Sequence, residues 1–236
     1  MQLIEYVFKA ARLLLFHGDL QMNDSALMIV DMQRYYLEDD SAYSRYFSFL
    51  YPGSLDYIRG RASSLVIPNI NSLREFFYSL KLPVIYLKLS SEKPDRSDLH
   101  RFFMNSYKEG KGRGFEGVYP LSTEPEADII DSLKPKSTDT VINKTTFSPF
   151  SSTDIDRHLK SMGVKSLVFT GLATSQCVET TARDASDRGY DVIHISDAQA
   201  DYDEMTHSAS LFCSRGVCGG VLYDTDEYIS FMKEYI

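Results

Sequence analysis

The feature that most constrains this chain is an alternation of short apolar runs with helix-period segments. Residues 26–30 read ALMIV, without a polar side chain, and end abruptly at Asp31. A strand with one wet face alternates apolar and polar residues, so an unbroken run marks a strand covered on both faces, as in a parallel sheet. Such runs return as VIYLKL after Pro83, TVI at 140–142, LVF at 167–169, VIHI at 192–195 and VCGGVLY at 217–223. Helical spacing fills the gaps. Val66, Ile70, Leu73, Phe77 and Leu80 form one stripe, with Pro68 near its first turn. Ile155, Leu159 and Met162 form another, with Ser151, Ser152 or Thr153 as cap and Gly163 as stop. Further helices are expected from near Cys177 to Gly189, through Met205, Ala209 and Phe212, and around residues 228–235. The alternation implies βαβ units: an α/β fold with an open, mainly parallel, doubly wound (Rossmann-like) sheet and helices on both faces.

The chain of 236 residues shows no internal repeat, linker or low-complexity segment, so one domain is expected over residues 25–236. Its 43% hydrophobic content suffices for a sizeable core. A net charge of −8, with both signs interspersed, speaks against nucleic acid or an anionic membrane as partner. The cysteines, Cys177, Cys213 and Cys218, suit neither a disulfide framework nor a zinc site, and a reducing cytoplasm is the natural compartment. Residues 1–24 carry an LLLF run, but Glu5, Lys9 and Arg12 interrupt the segment and no cleavage site flanks it. Leu3, Val7, Ala10 or Ala11, and Leu14 share a helical face. An amphipathic helical extension is expected there, packed on the domain or on a neighbouring subunit.

Two segments carry no such pattern. Residues 33–61 are Tyr-rich with a Pro52-Gly53 turn, and are too long for a simple connection. Residues 90–126 hold Gly110, Gly112, Gly114 and Gly117 at spacings that fit neither the P-loop nor the dinucleotide fingerprint. A long ordered, functional loop is the expectation for residues 33–61, and a flexible loop over a pocket for residues 90–126.

Asp31, Lys144 and Cys177 each fall at the carboxyl end of an expected strand, where open parallel sheets bind ligands. Each has a bland reading: a loop-start acid, a solvated lysine, a buried core thiol. Together they are chemically complementary. A thiol at a helix mouth can be the nucleophile, with its pKa lowered by the helix N-terminus; a carboxylate can take its proton, and an ammonium can hold both.

The chain resembles the isochorismatase-like cysteine hydrolases, which include nicotinamidases, N-carbamoylsarcosine amidohydrolase and ureidoacrylate amidohydrolase. The resemblance rests on ALMIVDMQRYYL, on VINKTTFSPFSSTDIDRHL, on VFTGLATSQCVETTARDASDRGYDV, on SDAQA, and on an H-x-x-x-L element at His207 and Leu211. It implies that fold, with Asp31, Lys144 and Cys177 at the catalytic positions. It also implies a cis peptide between Leu172 and Ala173, which would aim the N–H groups of Ala173 and Cys177 at an oxyanion. Tyr36, and from the glycine-rich segment Phe115, would line the pocket. The implied activity is hydrolysis of an amide or ureido (N-carbamoyl) bond of a small molecule through a thioester, by a homo-oligomer, dimer or tetramer.

Departures from the family matter. The segment LKLSSEKPDRSDLH lacks the Asp-x-His pattern that holds the nicotinamidase metal, and His100 is isolated. No metal and no cofactor are therefore expected. Isochorismatases proper lack the cysteine. His17, His158, His194 and His207 read as structural, and Cys213 and Cys218 as inert. Arg34, Arg113 and Arg215 are each candidates to meet a substrate carboxylate. Residues 43–57 and the N-terminal helix offer interface surface. The alternatives are a non-catalytic interaction protein of this fold, or a nicotinamidase-type enzyme without the usual metal site.

Overall fold

The computed structural model describes residues 24–216 and 220–234. Of the extension expected at residues 1–24, residues 1–23 (His17 with them) lie outside the described residues, as does Cys218. Six parallel strands form one sheet: β1 (Ser25–Val30), β2 (Val84–Leu89), β3 (Thr140–Lys144), β4 (Ser166–Leu172), β5 (Asp191–Ala200) and β6 (Val221–Tyr223). Their order is β3-β2-β1-β4-β5-β6. The chain winds outward from β1 in one direction and from β4 in the other. A crevice therefore opens between the carboxyl ends of β1 and β4, where the winding reverses.

The pleat divides β1 between two cores. Leu27 and Ile29 pack on one face with Val66, Ile70, Leu73, Phe77, Tyr228 and Met232. Ala26, Met28 and Val30 pack on the other with Ile155, Leu159, Val178, Ala182 and Ala185. All five strand residues are fully buried, which is what the unbroken apolar run required. At about 1.5–3 kcal/mol per large side chain, this two-sided burial is the main force holding the sheet. β1 and β4 approach closely at Gly171. Its φ is +101°, and a Cβ there would lie 2.1 Å from the Val30 carbonyl oxygen, so only glycine fits.

On the first face lie helices α3 (Asp56–Arg61) and α4 (Ile67–Ser79), joined through a π-helical turn at Ala62–Val66, and α9 (Thr225–Lys233). The π turn directly precedes Pro68, which has no N–H to give the turn before it. The second face carries α6 (Ile155–Ser161) and α7 (Glu179–Asp187). Thr153 Oγ1 accepts the Ile155 N–H at the start of α6.

Three expectations need correction, while the helix expected through Met205, Ala209 and Phe212 is present. Residues 33–61 are ordered but are not a loop: α1 (Arg34–Leu37) and α2 (Ala42–Leu50) fold there, ahead of α3. Residues 90–126 are not a flexible loop, because α5 (Arg101–Gly112) occupies their middle. Gly110 is a packing residue, since a Cβ would meet Val118 Cγ2 at 2.4 Å. β5 runs on to Ala200, well beyond Ile195. On α8 (Glu204–Ser214), Met205 and Phe212 face outward, 79% and 57% exposed, while His207, Ser210, Leu211 and Ser214 are buried.

Candidate active site

Above the carboxyl ends of the strands sits a third cluster, largely aromatic: Tyr35, Tyr43, Tyr46, Phe103 and Tyr119 with Leu55, Leu89, Leu99 and Val118. Tyr43 and Leu55 of this cluster, with Tyr36, Ile58, Leu172 and Tyr202, line a narrow cavity that reaches down to Cys177. About 20 Å³ of it is open to the centre of a water molecule, room for roughly one.

Asp31 follows β1 directly, with φ +51°, a left-handed backbone uncommon outside glycine and least costly for Asp and Asn. Lys144 closes β3, paired in register with Leu89 of β2. Its side chain crosses the end of β2 to reach Asp31. Cys177 lies in a π-helical turn, Thr174–Val178, that leads into α7. The three converge: Lys144 Nζ donates to Asp31 Oδ2 at 2.9 Å, to Cys177 Sγ at 3.3 Å and to the Thr146 carbonyl at 3.3 Å. All three side chains are buried.

Electrostatics sets their resting states. Burial raises the Asp31 carboxyl above its ordinary value, opposed by Lys144 and by the adjacent thiol. Burial also works against charge on Lys144, but Asp31 and Cys177 outweigh it and hold the ammonium above its usual range. The Cys177 thiol is pushed well up, first by burial and then by the Asp31 charge, with Lys144 pulling down. The helix-mouth argument predicted a lowered thiol pKa. Here the first turn is buried rather than open to water, and a carboxylate stands beside it. The resting group is a protonated thiol next to a base. The thiol lies against the Asp31 carboxylate, whose Oδ2 is taken by Lys144.

The Leu172–Ala173 peptide is cis. The Ala173 carbonyl accepts from Gln176 N–H at 3.0 Å and Val178 N–H at 3.3 Å, closing the turn that carries Cys177. Tyr36 lines the cavity together with Ala173 and Cys177. Phe115 does not. The chain turns back at the end of α5, where Phe115 N–H bonds the Gly110 carbonyl, and the ring packs on Tyr46 and Phe49 of α2.

Arg34 is ion-paired with Glu38 at 3.0 Å and Asp131 at 2.6 Å, and Arg113 with Glu109 at 3.1 Å. Arg215 lies over the Phe212 ring. None of the three lines the cavity. Tyr43 and Tyr46 are only 2% and 1% exposed within the chain, which removes them from any interface surface. After β2, Asp98 accepts from Ser91 and Glu92, and His100 Nδ1 accepts the Phe102 N–H as cap of α5. These donors do not fit a metal, and among the described residues no group of three His, Cys, Asp or Glu could hold one.

Several site residues escaped the sequence reading. Gln33 bridges the ends of β1 and β2, donating to the Leu89 and Ala127 carbonyls and accepting the Leu89 N–H at 2.7 Å. Asp201 accepts the Ser175 N–H at 2.6 Å and the Tyr202 N–H at 2.8 Å, so it ties the turn of Cys177 to the cavity wall. Its signal was the same strand-end position that exposed Asp31, hidden because β5 reads as ending too early. His207, which the sequence reading did single out as structural, has its Nδ1 2.8 Å from Thr174 Oγ1 and its Nε2 3.1 Å from Arg61.

Against known proteins, residues 25–227 match the Isochorismatase domain family. The chain belongs to the isochorismatase family. It is 30% identical over 231 residues to the ureidoacrylate amidohydrolase RutB of Acinetobacter baylyi, covering 89% of this chain and 84% of that protein. A cysteine hydrolase from Pseudomonas syringae pv. phaseolicola superposes with a TM-score of 0.74 at 25% identity, over 92% of this chain and 96% of the other. In fold it also matches N-carbamoylsarcosine amidase of Thermoplasma acidophilum, with a TM-score of 0.59 at 23% identity, over 86% and 98% of the two chains.

Proposed function

We propose that this isochorismatase-family protein is a hydrolase of non-peptide carbon–nitrogen bonds, acting on an amide or ureido group of a small molecule through a cysteine thioester. The reaction class is supported by the similarity to ureidoacrylate amidohydrolase RutB. The cysteine mechanism rests on one observation: Lys144 Nζ contacts both Asp31 Oδ2 and Cys177 Sγ at the floor of the cavity.

Asp31 takes the thiol proton as Sγ attacks the carbonyl carbon. Lys144 stays charged, orients the carboxylate and stabilises the sulfur as it becomes anionic. The carbonyl oxygen, gaining charge, is received by the backbone N–H groups of Ala173 and Cys177, each such donor being worth about 10²–10³ in rate. The intermediate collapses when Asp31 returns its proton to the departing ammonia or amine, leaving the acyl group on sulfur. A water that gives its proton to Asp31 attacks the thioester, and the acid leaves as the thiol is regenerated. No step needs a metal. Ammonia release over a panel of amides, ureas, ureido acids and nicotinamide, by wild type and Cys177→Ala, tests the reading. Turnover that survives in Cys177→Ala would refute it.

The homo-oligomer and the cytoplasmic setting belong to the same proposal. Among the described residues no helix is long and apolar enough to cross a membrane. Sedimentation of the purified full chain as a monomer would refute the oligomer.

A further inference from the structure

The cavity wall carries information about the charge of the compound that reaches Cys177, given the reading of Cys177 as nucleophile. Leu37, Leu55, Ile58 and Leu172 supply aliphatic surface, while Tyr36, Tyr43 and Tyr202 supply rings. The remaining polar side chain of the lining is the neutral amide of Gln176. The phenols keep their protons at neutral pH, burial being the main reason in each case.

Among the described residues, the cations near this wall are already engaged. An ammonium has three N–H donors, and Lys144 has three acceptors around it: Asp31, Cys177 and the Thr146 carbonyl. Arg59 and Arg61 leave the same helix as Ile58 but turn away. Arg59 is held by the carbonyls of Tyr36 and Glu38 and by Asp39, and Arg61 by the carbonyls of Gln199 and Ser196 and by His207. A substrate carboxylate entering here would lose its water and find no cation among the described residues.

We infer that the site takes uncharged amides or ureas whose non-reacting end is small and apolar, rather than amide or ureido acids. One polar atom on that end has a place. Tyr43 and Tyr202 share a hydrogen bond of 2.9 Å, which uses one of their two hydroxyl protons and leaves the other for an acceptor on the substrate.

Two measurements on the full-length wild-type protein test this. The first compares alkylation by iodoacetamide and iodoacetate, reagents of similar size that differ in charge, with exposed Cys213 as internal reference. The iodoacetamide-to-iodoacetate rate ratio at Cys177 should exceed that at Cys213 by at least about tenfold. The second measures ammonia release from substrates in which a methyl group is exchanged for a carboxylate: butanamide against succinamate, and propylurea against 3-ureidopropanoate. The neutral member should lead in kcat/KM by at least about tenfold. Equal or faster labelling by iodoacetate, a lead for the acids, or a Cys177 inert to both reagents overturns the inference. If labelling discriminates by charge while no amide or urea is hydrolysed, the inference stands for the cavity and the hydrolase reading falls.

Discussion

The floor and the wall of the cavity are built by different rules. Asp31 and Lys144 are 113 residues apart in sequence, yet their meeting is dictated by the sheet: each sits at the end of a strand, and strand order and register place those ends side by side. Tyr43 and Tyr202 are 159 residues apart, and their meeting depends on helices inserted between strands and on ring packing. The floor is polar, charged and closed on itself. The wall is apolar and neutral. On the proposed reading, chemistry is anchored to the strand ends of the fold and selectivity to the helices and rings inserted between strands.

Substitutions should separate the two. The largest effects belong to the floor: Cys177→Ala and Asp31→Asn should each lower kcat by more than about 10³-fold. Circular dichroism and thermal melting should show Cys177→Ala still folded, since it removes a single buried sulfur. Lys144→Met should combine an activity loss of about 10²-fold or more with destabilisation of about 3–5 kcal/mol, because it leaves the buried Asp31 charge unpaired. Urea denaturation reads the second part.

The floor should also govern pH dependence. Burial raises the Asp31 carboxyl, so the base becomes protonated, and activity falls, as pH drops through a value above the ordinary 3.8. A kcat/KM profile on a neutral substrate should show its acid limb there. A limb at or below 3.8 would contradict a buried base. Asp31 and Lys144 titrate as a pair, so the limb reports the pair rather than one group.

At the wall the expected effects are smaller and of another kind. Tyr43→Phe removes the hydroxyl that faces Tyr202 and should raise KM by about three- to tenfold, with kcat within about threefold. Phe115→Leu, which touches α2 and not the cavity, should leave kcat/KM within about twofold while lowering the melting temperature. A Phe115 variant with impaired kcat/KM would erase the distinction between wall and periphery.

The same division explains what could be read from sequence. Apolar runs betray buried parallel strands because both faces must be covered, and this put Asp31, Lys144 and Cys177 at strand ends. The wall gave no such signal. Gly110 and Gly112 read as loop formers, although α5 runs through them and Gly110 is required by Val118. Tyr43 and Tyr46 read as surface because the residues that bury them arrive from 103–119. Asp201 lay hidden behind the polar SDAQA stretch, where β5 continues despite its composition. The raised thiol pKa was out of reach as well, because it depends on the burial of the turn and not on its sequence.

The claim on which the rest stands is that Cys177 carries the acyl group. Wild-type enzyme mixed with an amide that it hydrolyses, quenched in acid within one turnover and measured by intact and peptide mass spectrometry, tests it directly. The account predicts a mass increase equal to the acyl or carbamoyl fragment, mapped to Cys177 and absent from Cys177→Ala. Steady hydrolysis with no adduct at Cys177, together with full activity in Cys177→Ala, would contradict it.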